Sequence, residues 1–189
     1  MIQQISRFKL KVKNFHGFTL IELIVVFSIL SILSVVGVAS FVNYSRSQAL
    51  LSDRQKLITV LNTAKANASS QLKGQYDCSS GGGVLNGYSV SIDTTDLTHE
   101  TYSLNLECSS QGVTSYPLVT YPLSKNITFD LTVTKVTKIL FPLFTGGAIF
   151  TGSHGSSVND PAQITLTGYG NKFTTTIAIY QTGIIKIIK

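Results

Sequence analysis

Glu22 is the residue whose chemistry is hardest to explain as packing. It directly precedes twenty uncharged residues, Leu23–Val42, reading LIVVFSILSILSVVGVASFV. A carboxylate at a membrane segment costs up to about 3 kcal/mol at the bilayer centre and less near the interface, so it needs a cationic partner. The nearest bases, Lys11 and Lys13, lie before Gly17. A cut after Gly17 would give Phe18 a new α-ammonium, four residues from Glu22. A carboxylate on the same helix, or at matching height on a neighbour, would neutralise it.

The other chemically suggestive clusters are weaker. Asp93, Asp96 and Glu100, with His99 beside them, place three carboxylates in an expected hairpin loop. Hard cations favour such oxygen clusters, but this spacing matches no fixed metal loop. A solvated turn is the reading adopted, and no metal is expected. Ser153 and His154 lie in Gly152–Ser157, which lacks both the Gly-x-Ser-x-Gly elbow and an acid in context. No catalytic constellation and no cofactor site emerges, so the chain is expected not to be an enzyme. Asn43, Asn67 and Asn126 fit the glycosylation pattern, a weak match in a chain rich in Asn, Ser and Thr.

Composition narrows the class. The chain has 189 residues, of which 43% are hydrophobic and 13% charged, with mean hydropathy +0.26. That excludes intrinsic disorder. The net charge of +6 resembles a nucleic-acid footprint until it is mapped along the chain. Residues 1–17 carry four bases (Arg7, Lys9, Lys11, Lys13) and no acid; residues 74–124 carry five acids and no Lys or Arg. Much of the basic character thus belongs to the N-terminal segment.

The elements that position Glu22 follow from periodicity. Twenty helical residues span ~30 Å, the thickness of a hydrocarbon core. The flanking bases put residues 1–17 in the cytoplasm and the C-terminal body outside. A secretory signal peptide cut before Ser40 is the alternative; the apolar stretch exceeds the ~7–15 residues of a normal signal core. Beyond Val42 the pattern turns amphipathic, with Leu50, Leu57, Leu61, Ala64, Ala68 and Leu72 at helical spacing and Lys73-Gly74 as the expected cap. Expected strands are 88–92, 102–106, 127–133, 138–144, 148–151, 164–167, 172–180 and 184–188, with Gly183 turning the last two into a hairpin. Cys78 and Cys108, in the outside compartment, are expected to bridge; a closed loop of about 31 residues stabilises by roughly 3–4 kcal/mol.

The run Gly17-Phe18-Thr19-Leu20-Ile21-Glu22-Leu23, after a basic leader and before the apolar helix, resembles the prepilin cleavage/methylation segment of type IV pilins and type II secretion pseudopilins. The resemblance implies that a prepilin peptidase cuts between Gly17 and Phe18 and methylates the Phe18 amine. It implies that Glu22 pairs with that amine on an adjacent subunit, and that the partners are other pilin subunits and a membrane assembly platform. The body resembles pseudopilin H/FimT-like minor subunits in architecture only. The helix lacks the proline many major pilins carry; Gly37 is its one weak point.

The expected fold is α+β: 1–17 a leader that is removed, 18–45 a transmembrane and filament-core helix, 46–73 its amphipathic continuation, and 74–189 a β-rich extracytoplasmic head. DNA is an alternative partner, because FimT-like subunits bind it through basic residues near the final hairpin. Lys172, Lys186 and Lys189 would then carry the contact, although residues 125–189 hold no arginine, the stronger phosphate reader. A plain membrane-anchored β domain is the remaining alternative.

Overall fold

The long helix α1 runs from Leu20 to Ser70. Among the described residues nine strands follow: β1 Val84–Asp93, β2 Thr101–Ser110, β3 Gly112–Pro122, β4 Ile127–Phe129, β5 Val136–Pro142, β6 Ile149–Gly152, β7 Ala162–Gly168, β8 Phe173–Ile179 and β9 Ile185–Ile188. This is the expected α+β class. The structure, a computed structural model, describes residues 17–71, 78, 83–96, 100–110, 112–153, 156 and 158–188. The leader bases, Leu72, the cap expected at Lys73 and Gly74, His99, His154 and Lys189 lie outside them. The chain divides into two compact units, 1–42 and 43–189.

In the first unit the described apolar side chains of α1 are exposed. Phe27 is 60% exposed, Ile32 68% and Phe41 70%. Ser28, Ser31 and Ser34 donate their hydroxyls back to the carbonyls of Val25, Phe27 and Leu30 at 2.7–2.8 Å. Their polarity is thereby satisfied within the helix. A Cβ at Gly37 would meet nothing within 4 Å, so no close approach requires that glycine. Among the described residues no helix is long and apolar enough to cross a membrane. Within the 23–42 run, the side chains at 35, 36 and 39 are outside the described set.

In the second unit α1 has an apolar stripe. Leu50, Leu57, Leu61, Ala64 and Ala68 are buried, as their spacing predicts, and Val60 joins them. The strands form two antiparallel sheets, ordered β3-β2-β1-β5-β6 and β4-β7-β8-β9. Tyr88, Leu106 and Ile139 from the first sheet and Ile164, Leu166 and Ile177 from the second share one apolar cluster with the stripe. Fully burying one such side chain contributes about 1.5–3 kcal/mol. Polar ties add direction: Lys65 Nζ donates to the Gly183 carbonyl at 2.9 Å, and the Arg54 guanidinium donates to Thr175 Oγ1 at 3.3 Å. Asp53, 1% exposed, accepts from Ser124 N at 2.7 Å and Ser124 Oγ at 3.0 Å.

Several expectations need correction. The helix ends at Ser70, with Gln71 left-handed (φ 52°), a conformation that commonly closes a helix. The strand expected over 127–133 stops at Phe129. Asp130 Oδ1 accepts from Thr132 N and Oγ1, and its carbonyl takes the N–H of Val133 and Thr134, so the chain turns. β3 was not expected at all. Its Pro117 has no N–H to give a ladder, but β3 is an edge strand and Pro117 sits at a register shift opposite Leu104/Asn105. The final hairpin forms as expected: Gly183 is left-handed (φ 76°) and donates to the Tyr180 carbonyl at 2.7 Å.

Candidate functional site at the start of the long helix

Gly17, Phe18 and Thr19 precede the helix without regular structure, and all three are exposed. Phe18 is 81% exposed. A Cβ on Gly17 would meet nothing within 4 Å, so the fold makes no demand for glycine there. An accessible, irregular peptide bond is the geometry a peptidase needs.

Glu22 lies in the first turn of α1, where the positive end of the helix dipole favours a carboxylate. Thr19 and Glu22 also cap the helix reciprocally. Glu22 N donates to Thr19 Oγ1 at 3.3 Å, while Glu22 Oε2 accepts from Thr19 N at 3.4 Å and Thr19 Oγ1 at 3.3 Å. This is a capping box, with Thr19 as the N-cap. Thr19 was not singled out from sequence, although Thr-x-x-Glu before an apolar run is a recognisable helix-start signal.

The other candidate residues disperse. Asp93 holds a local turn, accepting from Thr95 N at 3.0 Å and Thr95 Oγ1 at 2.7 Å, and these bonds lower its pKa. Glu100 instead turns inward; it is 4% exposed, accepts the N–H of Phe129, and burial raises its pKa. Glu100 thereby leaves the expected cluster, while Asp93 stays close enough to Asp96 for their charges to repel. Cys78 and Cys108 form the expected disulfide, with Cα atoms 5.6 Å apart.

The basic C-terminal residues have mixed fates. Lys138 Nζ sits 2.8 Å from Glu107 Oε2, so it adds nothing to a free basic face. Lys186 lies over the Tyr180 ring at 5.6 Å. Lys172 lies 5.8 Å from the Phe173 ring and donates to Asn43 Oδ1 at 3.1 Å. Lys172 and Lys186 thus stand on opposite ends of the β8–β9 pair and are not brought to one contact by a shared partner.

No curated protein and no solved structure matches the chain. Residues 12–38 match the family described as the prokaryotic N-terminal methylation motif. Gly17, Phe18 and Glu22 all fall inside that span. The chain therefore carries, at residues 12–38, the prepilin-type processing signal of type IV pilins and pseudopilins.

Proposed function

We propose that the protein is a structural subunit of a type IV pilus or a type II secretion pseudopilus, made as a precursor and assembled through α1. The single observation that carries this reading is the methylation motif at residues 12–38, whose span contains Gly17, Phe18 and Glu22. Prepilin peptidase cuts between Gly17 and Phe18 and methylates the new amine. Residues 23–42 anchor the subunit in the membrane, with the leader in the cytoplasm and the head outside. The exposure of every described apolar side chain from Leu20 to Val42 supports a segment built to be covered by lipid or by other subunits.

Glu22 supplies the charge that pairs with the Phe18 amine of an adjacent subunit as helices leave the bilayer. The work is assembly, not catalysis, and the irregular two-sheet body with a proline-free helix favours a minor subunit. The test is the mass and N-terminal sequence of the membrane-fraction protein from cells with and without prepilin peptidase. A start at methylated Phe18, lost without the peptidase, supports the reading. A start at Ser40, or an uncut Met1 in both strains, overturns it.

A further inference from the structure

The β7–β8 turn, residues 169–172, lies beside α1 just after the apolar run ends. Lys172 reaches Asn43, and the Arg46 guanidinium sits 5.0 Å over the Tyr169 ring. Asn43 and Arg46 follow Val42 by one and four positions. Tyr169 stands edge-on to Phe173, with centroids 6.4 Å apart, and its N–H bonds the Asn126 carbonyl at 3.0 Å, next to exposed Lys125.

The turn passes through three left-handed residues in succession, Tyr169 (φ 57°), Gly170 (φ 72°) and Asn171 (φ 62°). Glycine and asparagine tolerate that conformation; a tyrosine held there is unusual. The result is two aromatic rings and three bases, Arg46, Lys125 and Lys172, gathered at one end of the second unit. Asp53, the nearest acid along α1, is buried and already bonded to Ser124 and Lys56.

We infer that this turn, with Arg46, is an interfacial anchor that lies against anionic lipid headgroups while the subunit waits in the membrane. Tyrosine rings and basic side chains are the groups that settle at a headgroup layer. Their continuity with the last residues of the apolar run is what favours lipid over other partners. This inference rests on the membrane anchoring proposed above.

The chain has no tryptophan, so single tryptophans report local contact. Full-length Tyr169→Trp, Asn171→Trp and Phe27→Trp proteins would be placed in phosphatidylcholine nanodiscs, with or without phosphatidylglycerol, carrying spin-labelled lipids as quenchers. The inference expects headgroup quenching at 169 and 171 only with the anionic lipid. Each of Arg46, Lys125 and Lys172 changed to Gln should lower the lipid-associated to free ratio about fivefold. Quenching of Phe27→Trp in the acyl region with silent tip reporters would overturn the inference and leave the anchor standing. A silent Phe27→Trp would overturn both. Tip reporters silent in nanodiscs but shielded in an assembled filament would make the turn a subunit contact instead.

Discussion

Thr19 and Glu22 close the first turn of α1 on each other, directly after Phe18, the expected new N-terminus. Glu22 caps the helix as a hydrogen-bond acceptor; on the proposed assembly role it also neutralises an amine as a charge, and the two duties are separable. Glu22→Gln separates them, because glutamine serves in a capping box as well as glutamate does. The variant should be cut and methylated normally yet fail to enter filaments. Thr19→Ala should weaken the helix start by about 0.5–2 kcal/mol, seen as faster amide exchange over residues 20–23. Normal filament incorporation of Glu22→Gln would remove the charge-pairing role.

Gly17→Ala should leave the structure untouched, since the added methyl meets nothing within 4 Å. Any effect must then arise in the peptidase, which has to fit the residue before the cut. The expected outcome is accumulation of a full-length precursor in membranes with an unchanged circular dichroism spectrum. Normal processing would show that glycine is dispensable at the cut.

Legibility from sequence followed the strength of the local signal. The stripe Leu50, Leu57, Leu61, Ala64 and Ala68 was readable because helical periodicity survives any tertiary context. Residues 88–92 of β1 and 102–106 of β2 were readable from alternation, whereas the remaining residues of both strands were not. β3 was hidden because Pro117 and Pro122 look like strand breakers, and only an edge position makes them harmless. The turn at Asp130 was hidden because Thr132 and Val133 carry high strand propensity, and the Asp130 carboxylate overrides it. At the candidate site, Gly17, Phe18 and Glu22 were legible as a linear motif. Thr19 stands out only through the Thr-x-x-Glu capping pattern, which the charge of Glu22 does not reveal. Glu100 was placed in a solvated loop because no local feature says which carboxylate of a turn will fold inward.

Glu107 is the most demanding polar group in the head. It is fully buried and accepts from Ser89 Oγ, Ser115 Oγ at 2.7 Å and Lys138 Nζ at 2.8 Å, linking β1, β2, β3 and β5. Removing one partner of a buried pair leaves an uncompensated charge. Lys138 keeps 28% of its side chain exposed, so water softens the loss. Lys138→Met should destabilise the full chain by about 2–4 kcal/mol in denaturant unfolding. Adding Glu107→Gln should recover much of that. A loss below about 0.5 kcal/mol would show the pair to be no stronger than a surface contact.

The Cys78–Cys108 bridge joins the segment after α1 to β2. A cross-link over this separation restrains the unfolded chain, worth about 3–4 kcal/mol if strain is absent. Cys78→Ser with Cys108→Ser should lower the midpoint of thermal unfolding, and reductant should lower the parent but not the variant. Equal midpoints in oxidised and reduced parent would refute the stabilising role.

Glu100 sets a pH dependence whose sign can be worked out. Burial raises its pKa above the ordinary 4.5, partly opposed by the Phe129 N–H it accepts. The unfolded chain thus ionises before the folded one. Glu100 contributes its stability in full below 4.5, and that contribution is lost as pH rises through the higher folded value. Asp93 and Asp130 act in the opposite direction: hydrogen bonds from Thr95 and Thr132 lower their pKa values, so their contributions fade as pH falls. The parent profile mixes both, and the informative quantity is the difference between parent and Glu100→Gln, which keeps an acceptor for Phe129 N. That variant should match the parent near pH ~4 and melt at a higher temperature than the parent near pH ~8. A difference independent of pH would mean that Glu100 acts through packing, and its ionisation would play no part in the stability of the head.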